Sequence, residues 1–516
     1  MTITRRELLA GAALLPAARA LAWVPERPRP RDVADAALLA AMQAGAAYAD
    51  VRLVRQRRQN IATRDDHLTS ISDTDSYGLG VRVLKGGTWG FAAAPEITAG
   101  SASALARKAV QIAEANAALE RRPVQLAPEP PHEDSWETPI EKDPLRVPVK
   151  TKVALLVEAA KAAKAAVHQI RAVTGSFRLA IEEKAFFSSE GSAIEQMITR
   201  TGGGYTVTAV EEGRGFETRR TSLPPRGAGF EHVERAGFVE QAPRIAREAL
   251  DKLRADRVKP GPRDLVLDPS HLWLTIHESL GHSTELDRVL GYEANFAGTS
   301  FATADQLGKL RYGGPLMHVT ADRVEPGGLA TCGYDDDGVA TQRFDLIREG
   351  VLVAFQTVRD QTGLPGFGGP RSSGCSYADS WASVPFQRMP NVSLMPGKAP
   401  LTFDELIAQT QDGIYIVGDG SYSIDHQRKN FQFGGDFFWQ IENGKLARPL
   451  RKVAYQSSTP EFWSSMDAVC DAREWRLYGA FDDGKGEPVQ LNPVSHGCPP
   501  ARFRGVRVID AGAAQS

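Results

Sequence analysis

The sequence is poor in cysteine, balanced in charge and, beyond its first residues, without a long apolar run. Its 516 residues include four cysteines, too few for a disulfide scaffold, and 61 basic and 63 acidic residues give a net charge of −2. Because the net charge is close to zero, the composition gives no sign of nucleic acid or a membrane surface as a partner. After the first residues no stretch is long and apolar enough for a membrane helix. We expect the mature protein to be soluble, with neither kind of partner.

The first 22 residues have the three regions of an export signal. A twin-arginine motif, Thr4-Arg5-Arg6-Glu7-Leu8-Leu9, leads into an apolar run that is too short to span a bilayer. Small residues follow at the spacing of a cleavage site, at Ala18-Arg19-Ala20 or Ala20-Leu21-Ala22. A frayed N-terminal helix is the alternative. We expect a signal over 1–22, a tether over 23–31, and export to a periplasm by twin-arginine translocation.

Residues 32–259 show helical and strand patterns in alternation. After an alanine- and leucine-rich helix, strand-like runs follow at Tyr48–Arg55, Asn60–Ser70 and Ser76–Val83. A stretch rich in proline and glutamate, 120–148, indicates a long surface connection. These patterns predict an N-terminal α+β domain with an antiparallel sheet and helices.

Pro260-Gly261-Pro262 marks the clearest domain boundary in the chain. Residues 263–516 are rich in glycine, short β runs and hairpin turns. We therefore predict an α+β protein. Its C-terminal domain is mostly antiparallel β, a partly closed barrel, and carries a helix with a metal-binding motif.

That helix-like stretch, His271–Val289, contains the string His277-Glu278-Ser279-Leu280-Gly281-His282. Neutral imidazole binds Zn²⁺, and a neighbouring glutamate can take a proton from a water that the metal activates. On a regular helix the i, i+5 spacing places the two rings about 140° apart, too far for one ion. Either the string is accidental, or the helix widens into a π-bulge, which Gly281 would tolerate.

The segment resembles the signature of the TldD/PmbA family of metallopeptidases, in which a short acidic tail, here Glu285 and Asp287, follows the second histidine. Five further blocks are similar to the family's and stand in the same order: Gly80-Val81-Arg82-Val83, Gly87-Thr88-Trp89-Gly90-Phe91, Asp335-Asp336-Asp337-Gly338, Phe431-Gln432-Phe433-Gly434-Gly435 and Ile441-Glu442-Asn443-Gly444-Lys445. The resemblance covers most of the chain after the tether. It implies a zinc-dependent peptidase that acts on peptides or unfolded segments inside a cavity of restricted access.

The resemblance also implies the metal ligands. His277 and His282 would bind Zn²⁺ together with a cysteine near the C-terminus. Cys470 fits the family's position best. Cys498 remains the alternative, because an additional segment, Arg473–Asp482, separates Cys470 from the Pro-Val strand that follows it in the family.

Two glutamates would act beside the ligands. Glu278 would be the general base that takes the proton of the attacking water. Glu285, three residues after His282, would orient an imidazole from outside the ligand set. The alternative for Glu285 is a solvated position on the helix surface.

Other polar residues have weaker assignments. His426 and Arg428 lie in the polar loop Ser421–Asn430, which would line the cleft and hold a peptide carbonyl or terminus, although such loops are more often simply exposed. Cys332 and Cys375 remain after a ligand is assigned, and a disulfide between them is possible in an oxidising compartment.

Three functions fit these residues. The first is the zinc peptidase. The second is a non-catalytic binding or assembly subunit of the same fold, and the third is a zinc hydrolase of non-peptide amides or esters. The presence of both histidines and Glu278 favours an enzyme. The resemblance further implies a dimer, either with a second copy or with a TldE/PmbA-like subunit that lacks the metal motif.

Overall fold

A computed structural model describes residues 29–119, 122–362 and 371–512. The expected export signal over 1–22, and the tether as far as residue 28, lie outside this part of the chain.

A seven-stranded sheet forms the base of the N-terminal half. Its strands are β1 Tyr48–Arg64, β2 His67–Lys85, β3 Thr88–Ala94, β4 Glu133–Glu137, β5 Ile170–Ser188, β6 Ala193–Glu211 and β7 Gly215–Arg226. They lie in the order β3-β2-β1-β5-β6-β4, with β7 also paired to β6. All pairs are antiparallel except β4 with β6. Because the strand pairs are mostly local in sequence, short turns suffice to connect them.

Helices cover this sheet in two groups, each with its own core. The helices are α1 Pro30–Gln43, α2 Ala99–Asn116, α3 Val149–Ala166, α4 Glu231–Glu234 and α5 Phe238–Arg254. Alanine-rich faces of α1 and α2 pack on β1 and β2, and α3 and α5 pack with β5, β6 and β7 in a second core. Small alanine side chains allow the helices to approach the sheet closely.

The first hairpin differs from the prediction of three short strands. β1 and β2 are continuous and turn at Asp65, whose φ is 58°. The start of β2, His67–Ser76, is exposed, so it has no apolar alternation although its hydrogen-bonded register continues. The predicted surface connection likewise contains a short strand, β4.

The C-terminal half is built around a small barrel. Its strands are β8 Asp256–Arg257, β9 Gly261–Leu267, β10 Val319–Asp322, β11 Arg343–Arg348, β12 Val351–Leu352, β13 Ser376–Tyr377, β14 Phe386–Gln387, β15 Asn391–Leu394, β16 Asp412–Ile424, β17 Asn430–Glu442, β18 Lys445–Arg451, β19 Val453–Ser458, β20 Met466–Val469, β21 Arg476–Lys485, β22 Gln490–Cys498 and β23 Ala501–Asp510. The order β16-β9-β23-β19-β17 closes into a ring because β16 also pairs with β17. The predicted α+β class and partly closed barrel are confirmed.

The helices of this half are short: α6 Pro269–Ile276, α7 Leu286–Val289, α8 Phe403–Ala408 and α9 Thr459–Ser464. α6 packs against the barrel strand β16 and the hairpin of β21 and β22. Among the described residues no helix combines the length and apolarity needed to cross a membrane.

The predicted continuous helix over His271–Val289 is wrong, whereas the predicted π-bulge is confirmed. α6 runs into a π-helical turn, His277–Gly281, and then into a 3-10 turn, His282–Thr284. The chain leaves the helix at Glu285, which is extended. Gln356 causes this break, because its backbone carbonyl accepts from the N–H of Leu286 and its N–H donates to Thr284.

Buried ion pairs join the two halves. Arg82 of β2 lies 2.7 Å from both Asp50 and Asp337, and Lys184 of β5 lies 2.9 Å from Asp336. The acidic residues of the segment 335–337 thus hold the C-terminal half against the N-terminal sheet.

Candidate metal centre

The π-helical turn brings the two motif histidines to one side. The ring centroids of His277 and His282 are 4.6 Å apart. One ligand atom from each of His277, Glu278 and His282 lies within 4.8 Å of the others, and all three residues are buried. A π turn adds one residue to the helical repeat, so the i, i+5 spacing that a regular helix would separate is brought together here.

A third potential ligand comes from Asp483 on β21. Its Oδ1 lies 3.6 Å from Nε2 of His277 and 3.4 Å from Nε2 of His282. The other oxygen, Oδ2, is 3.2 Å from Nη2 of the buried Arg388. Burial acts to raise the pKa of Asp483, but His282, Arg388 and the two histidine hydrogen bonds outweigh it and hold that pKa well below its usual range. The carboxylate is therefore ionised when it faces the rings.

Hydrogen bonds on the far side of each ring fix its tautomer. Nδ1 of His496 is 2.8 Å from the carbonyl of Val392, which can only accept, so His496 carries its proton there. Nε2 of His496 then accepts from Nδ1 of His277 at 2.8 Å. Nδ1 of His282 donates to Glu285 Oε2 at 2.9 Å. With Nδ1 of each motif histidine engaged on the far side, Nε2 is the atom that each turns toward Asp483, and it can bind a metal ion once it has given up any proton shared with that carboxylate.

Glu285 is itself fixed by buried cations. Nζ of Lys485 lies 3.2 Å from its Oε1, and Nε of Arg288 lies 3.2 Å from its Oε2. Burial alone would raise the pKa of Glu285, but Lys485 and His282 lower it strongly. Glu285 is not a solvated surface residue, and its contact with His282 is the one that the sequence analysis expected.

Glu278 faces the cleft from the turn between the two histidines. The guanidinium of Arg428 donates to its Oε2, and the hydroxyl of Tyr422 also hydrogen-bonds to the carboxylate. Arg428 has a φ of 62°, a conformation that few side chains adopt, and its N–H is held by the carbonyl of Asp425. The strained loop thus delivers Arg428 to Glu278 rather than to open solvent.

A cleft of about 640 Å³ opens in front of these groups. Its wall combines the motif turn, the segment around Phe296, the loop from Tyr422 to Arg428, and Asp482 to Gly484. His426 lies in that loop, exposed at the edge of the cleft. His426 and Arg428, both predicted from the sequence to contact substrate, therefore occupy different positions. His426 lies at the rim of the cleft, and Arg428 lies beside Glu278.

The structure does not bring the cysteines to the histidines. Cys470 is packed in a hydrophobic cluster with Val266 and Leu406, and burial raises the pKa of its thiol to about 12. The thiol of Cys498 lies 3.9 Å from the carbonyl of Pro269, at the start of α6. Cys332 and Cys375 are buried free thiols. The position expected for a sulfur ligand is occupied by Asp483.

Sequence reasoning missed Asp483 and His496. Asp483 directly follows the additional segment Arg473–Asp482, and His496 lies two residues before Cys498. An acidic residue that ends a polar pair, Asp482-Asp483, inside a strand pattern was the available signal. Neither residue has a diagnostic spacing to His277, because only the fold of the β21–β22 hairpin brings them together.

The three converging atoms fit a zinc ion. Ligand atoms bound at about 2.0–2.2 Å around a tetrahedral centre lie about 3.4 Å apart, close to the two distances from Asp483 to the histidines. Two imidazoles and one carboxylate also form a donor set typical of hydrolytic zinc. His496 and Glu285 hydrogen-bond to Nδ1 of His277 and His282, and metal-binding histidines usually have such a partner on the ring nitrogen that does not bind the metal.

Three family profiles match the chain in order. They are the PmbA/TldA metallopeptidase domain 1 over residues 49–113, the central domain over 142–256 and the C-terminal domain over 260–510. The chain belongs to the PmbA/TldD family of metallopeptidases.

Relatives of this family member carry names consistent with the site. A metalloprotease of Methanothermobacter thermautotrophicus is 29% identical, over 89% of this chain and 95% of its own. A metalloprotease TldD homolog of Haemophilus influenzae is 25% identical, over 89% and 92%. A zinc metalloprotease TldD homolog of Saccharolobus solfataricus is 23% identical over 51% of this chain and 55% of its own.

Solved structures share the fold of this PmbA/TldD protein. A protein of Thermotoga maritima described as a modulator of a DNA gyrase superposes with a TM-score of 0.72 at 17% identity, covering 92% of this chain and 99% of its own. TldE from Thermococcus kodakarensis superposes with a TM-score of 0.68 at 15% identity, covering 91% and 98%.

Proposed function

We propose that this protein is a zinc-dependent peptidase whose metal is held by His277, His282 and Asp483. The observation that carries the proposal is the convergence of two Nε2 atoms and one carboxylate oxygen beside Glu278 in a cleft. The zinc metalloprotease name of a relative supports the same metal. Asp483 takes the role that the sequence analysis gave to Cys470.

Glu278 is the proton carrier of the reaction. A zinc ion held by His277, His282 and Asp483 would supply the Lewis acidity for the attack of water on the scissile carbonyl. Glu278 takes one proton of the water as its oxygen attacks the carbonyl carbon. The same carboxyl then gives that proton to the leaving nitrogen when the C–N bond breaks. One carboxyl group thus serves both half-reactions.

Arg428 and Tyr422 prepare Glu278 for this role. The guanidinium donates to Oε2 of the carboxylate, and the phenol donates a further hydrogen bond to it, so both contacts hold the carboxylate in place. We assign Arg428 to the positioning of Glu278, and His426 at the cleft edge to contact with the peptide.

The substrate, the partner and the location follow from the same proposal. All three ligands are buried at the end of the cleft, so an extended peptide or unfolded segment reaches them and a folded surface does not. The fold shared with TldE supports a dimer, with a TldE-like subunit or with a second copy. The twin-arginine motif at Arg5-Arg6 supports export to the periplasm.

The test is to compare Glu278→Gln with the wild type on a pool of unstructured peptides. We expect cleavage to fall by roughly 100-fold or more, because a general base contributes about that factor, while the zinc content stays unchanged. Glu442→Gln, an exposed glutamate of the β17–β18 hairpin, is the matched control and keeps full activity.

Two outcomes would contradict the peptidase. Stoichiometric zinc with no cleavage of any peptide by the wild type would favour hydrolysis of another amide or ester. Loss of zinc in Glu278→Gln would make Glu278 a ligand rather than the base.

A further inference from the structure

A second cavity, of about 880 Å³, adjoins the catalytic cleft. It lies where Arg82 and Trp89 of the N-terminal sheet meet the segments 292–296, 379–387 and 486–490. Phe296 lines this cavity and also the cleft that holds Glu278. Its volume is in the range of about 300–1,000 Å³ that is typical of ligand pockets. We call it the acidic cavity, for the reason given below.

The mouth of the acidic cavity is apolar. Its lining includes four exposed large hydrophobic residues: Tyr292 at 59%, Phe296 at 42%, Val384 at 41% and Val489 at 49% exposure. Exposed apolar side chains are ordinary when scattered, but four that line the same cavity mark a surface that binds a partner or ligand.

The walls carry an excess of negative charge. Six carboxylates and one guanidinium line the cavity: Asp287, Glu293, Asp337, Asp360, Asp379, Glu487 and Arg82. Two of the carboxylates are neutralised by ion pairs, Asp287 with Lys485 at 2.8 Å and Asp337 with Arg82 at 2.7 Å.

The other four carboxylates accept hydrogen bonds from neutral donors. Within the described part of the chain no lysine or arginine pairs with them; their donors are Gly486 N for Glu293, Trp89 Nε1 for Asp360, Ser383 Oγ and Leu491 N for Asp379, and Asn295 Nδ2 for Glu487. Burial, with Asp337 nearby, raises the pKa of Asp360 to about 6.

One buried carboxylate has an oxygen to spare. Asp287, 4% exposed, lines the cavity, and within the described residues its hydrogen bonds from Lys485 Nζ and Arg288 N both reach Oδ1. Oδ2 is left for a ligand that enters past the rim.

We propose that the acidic cavity is a substrate subsite that binds a lysine or arginine side chain of the peptide being cleaved. The methylene stem of such a side chain packs on the apolar rim, and its charged end reaches the carboxylates. Phe296 separates this subsite from the scissile bond, so one extended peptide occupies both spaces. The inference rests on the proposed peptidase, whose site supplies the cleft that the same peptide enters.

A binding experiment tests the subsite apart from catalysis. Zinc-loaded Glu278→Gln is titrated into two labelled peptides that differ only by lysine or glutamine at matched positions, and the dissociation constants are measured by fluorescence anisotropy. We expect the lysine peptide to bind roughly tenfold more tightly. The attraction between its ammonium group and several carboxylates, partly screened by solvent, accounts for about that factor.

Two variants locate the preference. Adding Glu293→Gln and Glu487→Gln to that protein should reduce the lysine preference to less than roughly threefold, because two uncompensated charges are removed while the hydrogen-bond acceptors remain. Glu487→Gln alone, at an exposed position that cannot affect the core, should give an intermediate preference. Glu442→Gln removes a distant exposed charge and should leave the preference unchanged.

The outcomes separate the subsite from the peptidase. Equal binding of the two peptides, or a preference that survives the double variant, overturns the subsite even if the wild type cleaves both. Arginine amide, tested as a competitor, should displace the lysine peptide only weakly. Displacement at equal concentration would assign the cavity to free small cations and overturn it as a peptide subsite. A lysine preference that depends on Glu293 and Glu487 supports the subsite even if no cleavage is found, in which case the peptidase alone fails.

Discussion

Asp483 is the single residue on which the nature of the metal site depends most. Replacing it with asparagine removes the anionic ligand but keeps the shape of the side chain. We expect Asp483→Asn to weaken zinc binding by more than roughly 100-fold, since even residues behind the ligands contribute about 10- to 100-fold. Competition with a chromophoric chelator at neutral pH measures the change.

Two matched variants complete this test. Asp482→Asn changes the preceding carboxylate, which pairs with Arg178 of the N-terminal sheet at 2.8 Å, and should keep zinc. Asp483→Cys should also keep it, because thiolate is a good zinc ligand. If Cys470→Ser lost zinc and Asp483→Asn did not, the assignment of the third ligand would have to return to Cys470.

At the residue scale, the local motif was predictable, and the distant carboxylate that faces it was not. His277, Glu278 and His282 stand in one string, so their chemistry can be read from spacing. Asp483 reaches them only because β21 crosses in front of the turn, and no local pattern encodes that crossing. The cysteine expected from family resemblance instead packs among Val266 and Leu406, where a thiol serves as a small apolar side chain.

The π-helical turn is the element that brings the two motif histidines together, and Gly281 is its last residue. A Cβ on Gly281 would collide with the sulfur of the fully buried Met389. We therefore expect Gly281→Ala to lower the free energy of unfolding by about 1–3 kcal/mol, the usual range for overpacking. Urea denaturation, with zinc content measured in parallel, gives the size of the effect.

Met389 provides the control for this prediction. If the collision is the cause, Gly281→Ala combined with Met389→Ala is less destabilised than the sum of the two single variants by more than about 0.5 kcal/mol. Additive effects would show instead that Gly281 is needed for the backbone of the turn.

At the element scale the spacing of the histidines predicted the bulge, but not where the helix ends. The i, i+5 string leaves one geometry for a shared ion, so the distortion follows from the sequence. The end at Glu285 depends on Gln356, whose side-chain amide donates to the carbonyl of Gly281 at 2.6 Å and contacts the hydroxyl of Thr284 at 2.8 Å. A partner so distant in sequence leaves no periodic signal.

At the scale of the whole molecule, buried ion pairs between the N-terminal and C-terminal halves contribute to the stability of the fold. Lys184 lies 2.9 Å from Asp336 and 3.7 Å from Glu182, and all three are buried. Lys184→Met removes the nearest cation from the buried Asp336, which within the described residues then keeps only Arg52, at 3.9 Å, as an ion-pair partner. We expect a loss of about 3–5 kcal/mol in the free energy of unfolding at neutral pH, measured by urea denaturation.

The pH dependence gives a second measurement of the same contact. Burial acts to raise the pKa of Asp336, but Lys184 and Arg52 outweigh it and lower that pKa below its unfolded value. The resulting stabilisation is present above the unfolded pKa, near 4, and is lost as the pH falls through the folded one. Lys184→Met should reduce this loss, and Lys445→Met, an exposed lysine, should not change it. An unchanged acid slope in Lys184→Met would exclude this pairing as its source.

The overall architecture was predictable where pattern and composition determine it. Alternating strands, turn residues and the resemblance to the PmbA/TldD family predicted an α+β protein with a barrel. The continuity of the first hairpin was not predictable, because exposed residues such as Asp73 and Ser76 carry no apolar alternation. Nor were the buried ion pairs, since Asp335-Asp336-Asp337 has the composition of a surface turn.

The chain of hydrogen bonds from His277 through His496 to the Val392 carbonyl has a consequence for how the protein matures. Hydrogen bonds from neighbouring residues fix the orientation of each imidazole ring, so the metal-binding side of the site is already formed in the newly folded chain. A metal ion that reaches the folded protein therefore finds the side chains of His277, His282 and Asp483 already close together. Folding can therefore come before metal loading, and an ion that binds afterwards adds to the stability of a chain that is already folded.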